Sequence, residues 1–279
     1  MTGLNGMLLP VLHQSTLYAI FMRLLFIILL VSVSCNSVTN TNDSASETSA
    51  PKIATEKLDT AKNTVYPVTA RPEIFETAFF QGTEAKMDTF KIRFYSVNIG
   101  KLNVESGKLI ACDPIVMHDA KPFLHVFPIG LFPVQLAIAK LNDDERVGFV
   151  RISFSDNPVT KWEFALHEGQ KQIPIDSETF YGYGVDGGIG LFIDKEANDA
   201  FNALYKKDDN IWADIFNKEM DKHYRHTWQY ILYNFDSHSL SSFSTGYGDG
   251  TYGTYVGYDE KGNICRLLTD FGIVDWLTK

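Results

Sequence analysis

From about residue 71 onward the chain is written in short runs that alternate apolar and polar side chains, broken by Gly, Pro and Asp. Residues 90–97 (FKIRFYSV), 108–112 (KLIAC), 134–140 (VQLAIAK) and 146–154 (RVGFVRISF) carry this period of two, as do 162–166 (WEFAL), 228–235 (WQYILYNF) and 264–271 (ICRLLTDF). Such a period sends successive side chains to opposite faces of a strand. Asp113-Pro114, Pro128-Ile129-Gly130 and Glu168-Gly169 supply the turns between them. Two stretches break the pattern. In residues 195–207, Ala197, Ala200, Phe201, Leu204 and Tyr205 share one helical face, with Asp194 placed to cap the first turn. Ile211, Trp212, Ile215 and Phe216 line a second helix running to about Lys222, with Asp208 and Asp209 at its positive end. Two helices are too few to separate so many strands into parallel units. The expected class is therefore α+β, mainly β: an antiparallel β-sandwich or rolled sheet with two inserted helices, one domain over residues 71–279.

Composition narrows the functional classes. Hydrophobic residues make up 45% of the 279 and aromatics 13%, which excludes a disordered or fibrous chain. Lys and Arg number 25 against 34 Asp and Glu, for a net charge of −9, so no nucleic-acid partner is expected. Three Cys exclude a disulfide-dense scaffold and a four-thiolate zinc site.

The N-terminal residues read as an address. Residues 24–33 (LLFIILLVSV) form an apolar run too short to span a bilayer, flanked by Arg23 and by Ser34-Cys35. The segment VSVSC resembles the lipobox of bacterial lipoproteins, in which the Cys is acylated. Residues 1–34 are then a signal peptide whose true start is Met22, because the 21 residues before it hold no Lys or Arg. Cys35 becomes the lipidated terminus, partner to the lipid bilayer, and residues 35–70, rich in Ser, Thr, Asn and Ala, read as a flexible tether. Asn36 rather than Asp follows the Cys, which favours the outer membrane of the cell envelope over the inner.

Several constellations are candidates for chemistry, each with a purely architectural counterpart. Residues 244–262 (STGYGDGTYGTYVGYDEKG) interleave Gly with Tyr247, Tyr252, Tyr255 and Tyr258 around Asp249. They suit a ligand-facing loop with stacking rings, a sugar-binding patch if all four rings are exposed together, or a pair of hairpins with tyrosines packed across strands. Asp186, in residues 181–194 (YGYGVDGGIGLFID), suits cation ligation or an Asx-type turn; no dinucleotide fingerprint or P-loop is present. If Asp113, Asp186 and Asp249 converge with Asp194 and Asp270, they offer a hard cation such as Ca²⁺ an oxygen-rich site. His223 and His226 lie one helical turn apart with no third ligand evident, and there is no G-x-S-x-G nucleophile elbow. Cys112 and Cys265 suit a disulfide or two buried thiols.

Taken in order, Ser106-Gly107 to Asp113-Pro114, Pro128-Ile129-Gly130 to Pro133-Val134, Val185-Asp186-Gly187-Gly188-Ile189-Gly190, and Gly246-Tyr247-Gly248-Asp249-Gly250-Thr251-Tyr252 form a spaced set. With Asp259, Gly262 and Asp270-Phe271, the set resembles the bacterial family named domain of unknown function 4241, over about residues 97–272. The resemblance implies one domain in which Asp113, Asp186 and Asp249 are characteristic positions, and it implies no activity. The expectation is a membrane-tethered envelope lipoprotein whose domain binds a ligand or a protein, an immunity-type partner of a basic effector among them. The alternative is a metal-dependent hydrolase using Asp113, Asp186 and Asp249.

Overall fold

The computed structural model describes residues 69–278 apart from Asp88. The signal peptide read at residues 1–34, Cys35 and the tether up to residue 68 lie outside the described residues. In chain order the elements are β1 (Thr69–Ala70), α1 (Ile74–Thr77), β2 (Glu84–Met87), β3 (Phe90–Val104) and β4 (Leu109–Cys112). A 3₁₀ turn at Pro114–Val116 precedes β5 (Gly130–Leu141), β6 (Asp144–Ser153), β7 (Lys161–Phe164), β8 (Tyr183–Val185) and β9 (Ile189–Asp194). Then come α2 (Lys195–Tyr205) and α3 (Asn210–Ala213), which widens into a π-helical stretch, Asp214–Glu219. The chain closes with β10 (Tyr230–Phe235), β11 (His238–Ser244), β12 (Gly250–Tyr258), β13 (Ile264–Asp270) and β14 (Leu277–Thr278).

Two sheets carry the fold, and their described pairings are antiparallel. The larger runs β2-β3-β5-β6-β13-β12-β7, with β8 also pairing with β12; the smaller runs β10-β11-β9-β4; β1 and β14 pair alone. This is the sandwich class that the alternating runs predict, with the two helices inserted before its last strands. The sheets meet over a shared core of Leu102, Val134, Leu136, Val150, Val256 and Leu267 from the larger and Phe192 and Phe243 from the smaller. Each sheet is covered on its outer face as well. On the larger one, Phe75 and Phe79, at α1 and just beyond it, and Trp276 pack on Phe94, Phe149, Phe164 and Tyr255. On the smaller one, Ala197 and Phe201 of α2 and Ile215, Phe216 and Met220 pack on Ile110, Leu191, Ile193 and Leu240.

Burial on both faces explains why β9 (IGLFID) shows no alternation: all six residues are buried. The alternation of β6 is reset by a bulge. Ala137 pairs with Phe149 and Ile138 with Val147, which leaves Gly148 as the extra residue. A Cβ on Gly148 would lie 3.0 Å from the Phe94 ring, so any larger residue at the bulge would push on that ring. It lets Val147 and Val150 enter the inter-sheet core while Phe149 joins the outer one.

One carboxylate fastens α1 to the larger sheet. Glu76 accepts hydrogen bonds from Arg151 Nη1 at 3.1 Å and from Arg266 Nε and Nη2 at 3.1 and 3.2 Å. The Arg151 guanidinium also lies 3.9 Å from the centre of the Phe79 ring. Burial pulls the Arg151 pKa down to about 10, against the opposing pull of Glu76, as expected of two cations sharing one anion. Glu76→Gln should therefore lower the unfolding free energy by about 3 kcal/mol, read as a shift of the urea midpoint. A loss below about 1 kcal/mol would show that solvent already screens the clamp.

Candidate functional site

The candidate aspartates gather at one end of the sandwich, where β4, β8–β9 and β11–β12 turn. Asp113 leaves β4 and caps the 3₁₀ turn: its Oδ1 accepts from the Ile115 N–H at 2.8 Å. Its Oδ2 accepts from the Asp186 and Gly187 N–H groups, both at 2.8 Å. The backbone approaches this closely because residue 187 is glycine; a Cβ there would meet Ile115 Cδ1 at 2.9 Å and Asp113 Oδ2 at 3.3 Å. Because Val185 pairs with Gly250, the turn after β8 lies beside the turn before β12. The two turns are joined by Thr245 N–H donating to the Gly188 carbonyl at 3.1 Å. Within the second, the Thr245 and Tyr252 hydroxyls donate to the Gly248 carbonyl at 2.8 and 2.7 Å.

The sequence candidates thus separate by role. Asp113 is buried and accepts three hydrogen bonds from backbone donors. Asp186 and Asp249 are exposed on adjoining turns. Tyr252 is buried against Phe271, and burial raises its pKa. Tyr247 is exposed, with the Arg146 guanidinium 5.1 Å from its ring centre. Tyr255 is buried in the outer core and Tyr258 is half-buried, so the four rings do not form one exposed patch. The glycines of β12 make room for rings instead of a ligand. A Cβ on Gly253 would lie 2.9 Å from the Tyr255 hydroxyl, and one on Gly257 would lie 3.0 Å from the Trp162 ring.

Other acidic candidates fasten backbone too. Asp194 caps α2. Asp259 Oδ1 accepts from the Lys261 and Asn263 N–H groups, and its Oδ2 from the Asn263 and Asn157 side-chain amides. Those donors, Asn263 foremost, hold its pKa near 2. Asp270 Oδ2 accepts from Trp276 Nε1 at 2.6 Å and its Oδ1 from the Gly272 N–H at 2.9 Å. Burial outweighs both and pushes that carboxyl up to about 6. Among the described residues no group of three or more His, Cys, Asp or Glu is arranged to hold a metal ion. His223 packs its ring on Tyr230 at 4.9 Å. Cys112 and Cys265 are buried free thiols, and burial raises the Cys112 pKa to about 12.

A different feature lies beside Asp113, and nothing in the linear sequence marks it. The 3₁₀ turn that Asp113 caps forms one wall of a groove of about 830 Å³, through Pro114, Ile115 and Met117. The other wall is Phe201 and Tyr205 of α2, with Trp212 of α3, and Lys206 and Asp119 are also at its edge. Trp212 Nε1 donates to the Pro114 carbonyl at 3.1 Å and Asn198 Nδ2 to the Met117 carbonyl at 3.0 Å, so both walls are pinned to each other. Asn198 Oδ1, buried behind Met117, has no partner among the described residues. Ile115 and Tyr205 remain 49% and 42% exposed, which leaves apolar surface open to a partner.

Two outcomes follow. Asp113→Ala strands three N–H groups and should cost about 3 kcal/mol of stability. Asp186→Asn and Asp249→Asn should stay within about 0.5 kcal/mol of the parent. Equal losses at all three would restore the turn carboxylates as one unit. For Asp270, the folded chain retains a proton that the unfolded chain releases at its ordinary pKa near 4. Stability should therefore fall as pH rises from about 4 to 6, by up to about 3 kcal/mol, and then level off. Asp270→Asn should flatten that slope in urea titrations across this range; an unchanged slope would place the proton elsewhere.

No curated protein and no solved structure matches this chain. One family model does, over residues 102–269, a span that includes Asp113, the glycine turns, α2 and the groove. The chain belongs to the family described as protein of unknown function (DUF4241).

Proposed function

We propose that this protein is a lipid-anchored protein of the cell envelope, on the outer membrane, whose β-rich domain binds a partner in the groove between the Pro114–Val116 turn and α2. The observation that carries the binding reading is the groove itself, apolar, about 830 Å³ and walled by Ile115, Met117, Phe201, Tyr205 and Trp212. Its dimensions fall in the range of sites that take a small ligand or the anchoring side chains of a protein. The net charge of −9 favours a basic protein as the partner, as an effector neutralised by an immunity-type domain would be. The anchor rests on Cys35 and the apolar run before it.

Metal-dependent hydrolysis keeps one supporting observation, that Asp186 and Asp249 sit on adjoining turns. A rise in melting temperature with Ca²⁺, abolished by Asp249→Asn, would put that reading first.

The test uses the full chain in its own membrane, with a photo-cross-linking phenylalanine at Tyr205. One discrete heavier adduct is expected, lost in Ile115→Asp. No adduct, or one that survives Ile115→Asp, overturns the groove as the binding site. Mass spectrometry of the N-terminal fragment should find Cys35 acylated, and an unmodified Cys35 overturns the anchor without touching the groove.

A further inference from the structure

Residues 122–131 (PFLHVFPIGL) lie outside the groove and split by side-chain direction. Phe123 and Phe127 are buried in the inter-sheet core, while Leu124, Val126, Ile129 and Leu131 are 51%, 66%, 68% and 62% exposed. Val126 and Ile129 lie side by side, both flanking Gly107, with Leu124 two residues before Val126 and Leu131 two residues after Ile129. Leu124 and Val126 alternate with the buried residues. The strip is held stiffly: the Phe123, Leu124 and Phe127 N–H groups donate to the Leu109, Leu166 and Gly107 carbonyls at 2.9, 2.7 and 2.9 Å. Pro122 and Pro128 fix two further backbone angles. A rigid apolar strip of this kind is rarely left bare on a protein surface.

Its composition points away from a protein partner. Protein hot spots favour Trp, Tyr and Arg and under-use Leu and Val, whereas these four side chains are all aliphatic. The surrounding charge is locally basic on an acidic chain. Lys101 shares a sheet face with Leu131, since Lys101 pairs with Pro133 and Asn103 with Leu131. Lys108 follows Gly107, and Lys121 precedes Pro122. None of the three makes an ion pair among the described residues, while the nearby acids Glu105, Asp119 and Glu163 are paired with His238, His118 and Lys161. Two further acids lie at this edge: Glu168, which shares a shallow hollow with Lys121, and the exposed Asp156, two residues beyond Phe154, whose ring packs on Phe127 and Phe132. Burial lowers the pKa of His125 at the centre of the strip; Glu163 opposes the drop and Lys108 adds to it, so both of those charges act at the strip.

We infer that Leu124, Val126, Ile129 and Leu131, ringed by Lys101, Lys108 and Lys121, form a surface that lies against an anionic lipid bilayer. The inference rests on the tethered reading, which keeps a bilayer within reach: the 33 residues between Cys35 and Thr69 extend to at most about 120 Å. Aliphatic side chains enter the headgroup boundary, and each lysine near an anionic surface adds about fivefold to binding.

The experiment uses the full chain reconstituted in vesicles of phosphatidylethanolamine and phosphatidylglycerol carrying a doxyl-quencher lipid. A polarity-sensitive thiol label is placed by Val126→Cys, with Asp143→Cys as the control, beyond the far end of the 12-residue β5. The expected result is strong quenching at 126, little at 143, and several-fold weaker quenching at 126 in phosphatidylcholine vesicles. Lys101→Glu/Lys108→Glu/Lys121→Glu should cut quenching at 126 to the control level while the chain still floats with the vesicles. Flotation with equal quenching at 126 and 143 overturns the docking surface alone. A label at 126 that lipid cannot quench but that is shielded from aqueous iodide assigns the strip to a second copy or another protein, and overturns it too. A parent chain that neither floats nor quenches overturns the tethered reading along with the surface.

Discussion

The carboxylate of Asp194 is the point on which the arrangement of sheets and helices turns. It is fully buried, and it answers four donors: the Glu105, Ser106 and Glu196 N–H groups at 3.1, 3.0 and 2.9 Å and the Ser106 hydroxyl at 2.8 Å. A buried carboxylate is tolerated only when its lone pairs are met in this way. The donors come from the start of α2 and from the turn between β3 and β4, so one group fixes the helix layer, the smaller sheet and the crossing from the larger sheet. β4 is thereby set beside β9, Leu109 opposite Asp194. From that pairing follow the place of Asp113, the turn it caps and the first wall of the groove; from α2 follows the second.

The same economy of structure shapes the functional reading. A carboxylate that organises backbone donors has no lone pair left for a metal or a proton in transit. Asp194 and Asp259, with four donors each, are of this kind, and Asp113 commits three of its four acceptor sites in the same way. Asp270 differs in being half-neutral near pH 6, held by one indole and one amide inside the outer core. The domain also exposes apolar surface on short stiff segments, and at Ile115 that surface adjoins the Asp186–Gly187 turn.

The legibility of the sequence follows the same physics. Strands whose sequence alternates were readable, even where both faces are covered: residues 90–97, 134–140 and 146–154 fall within β3, within β5 and largely within β6. The α2 helix was readable to its cap, because an Asp at the first turn of an amphipathic run has few other meanings. β9 escaped because burial on both faces erases alternation. β11 (HSLSSFS) escaped because its serines are buried and satisfied locally, Ser242 donating to the Gly190 carbonyl at 2.9 Å and Ser241 to that of Phe192 at 3.4 Å. The second helix was placed correctly, but its π-helical turn left no mark in the spacing of Ile211, Trp212, Ile215 and Phe216. At the site, Asp113 and the glycines could be named but their partners could not, since Asp113 and Gly187 are 74 positions apart. The groove brings together residues from 114 to 212 that carry no common motif.

The position of β9 has a consequence for how the domain breathes. Its edges are paired with β11 and β4, and its faces are covered by the inter-sheet core and by the helix layer. On one side β10 can peel away and leave β11 in place; on the other β4 is the edge strand, so its opening uncovers only the β9 edge that faces it. The amide hydrogens bonded to β11 can then trade with solvent deuterium only through complete loss of the fold, whereas those bonded to β4 also exchange when that edge strand opens. The β11-facing amides of Ile189–Asp194 act as an internal clock for global opening, and the β4-facing ones as a clock for that edge alone.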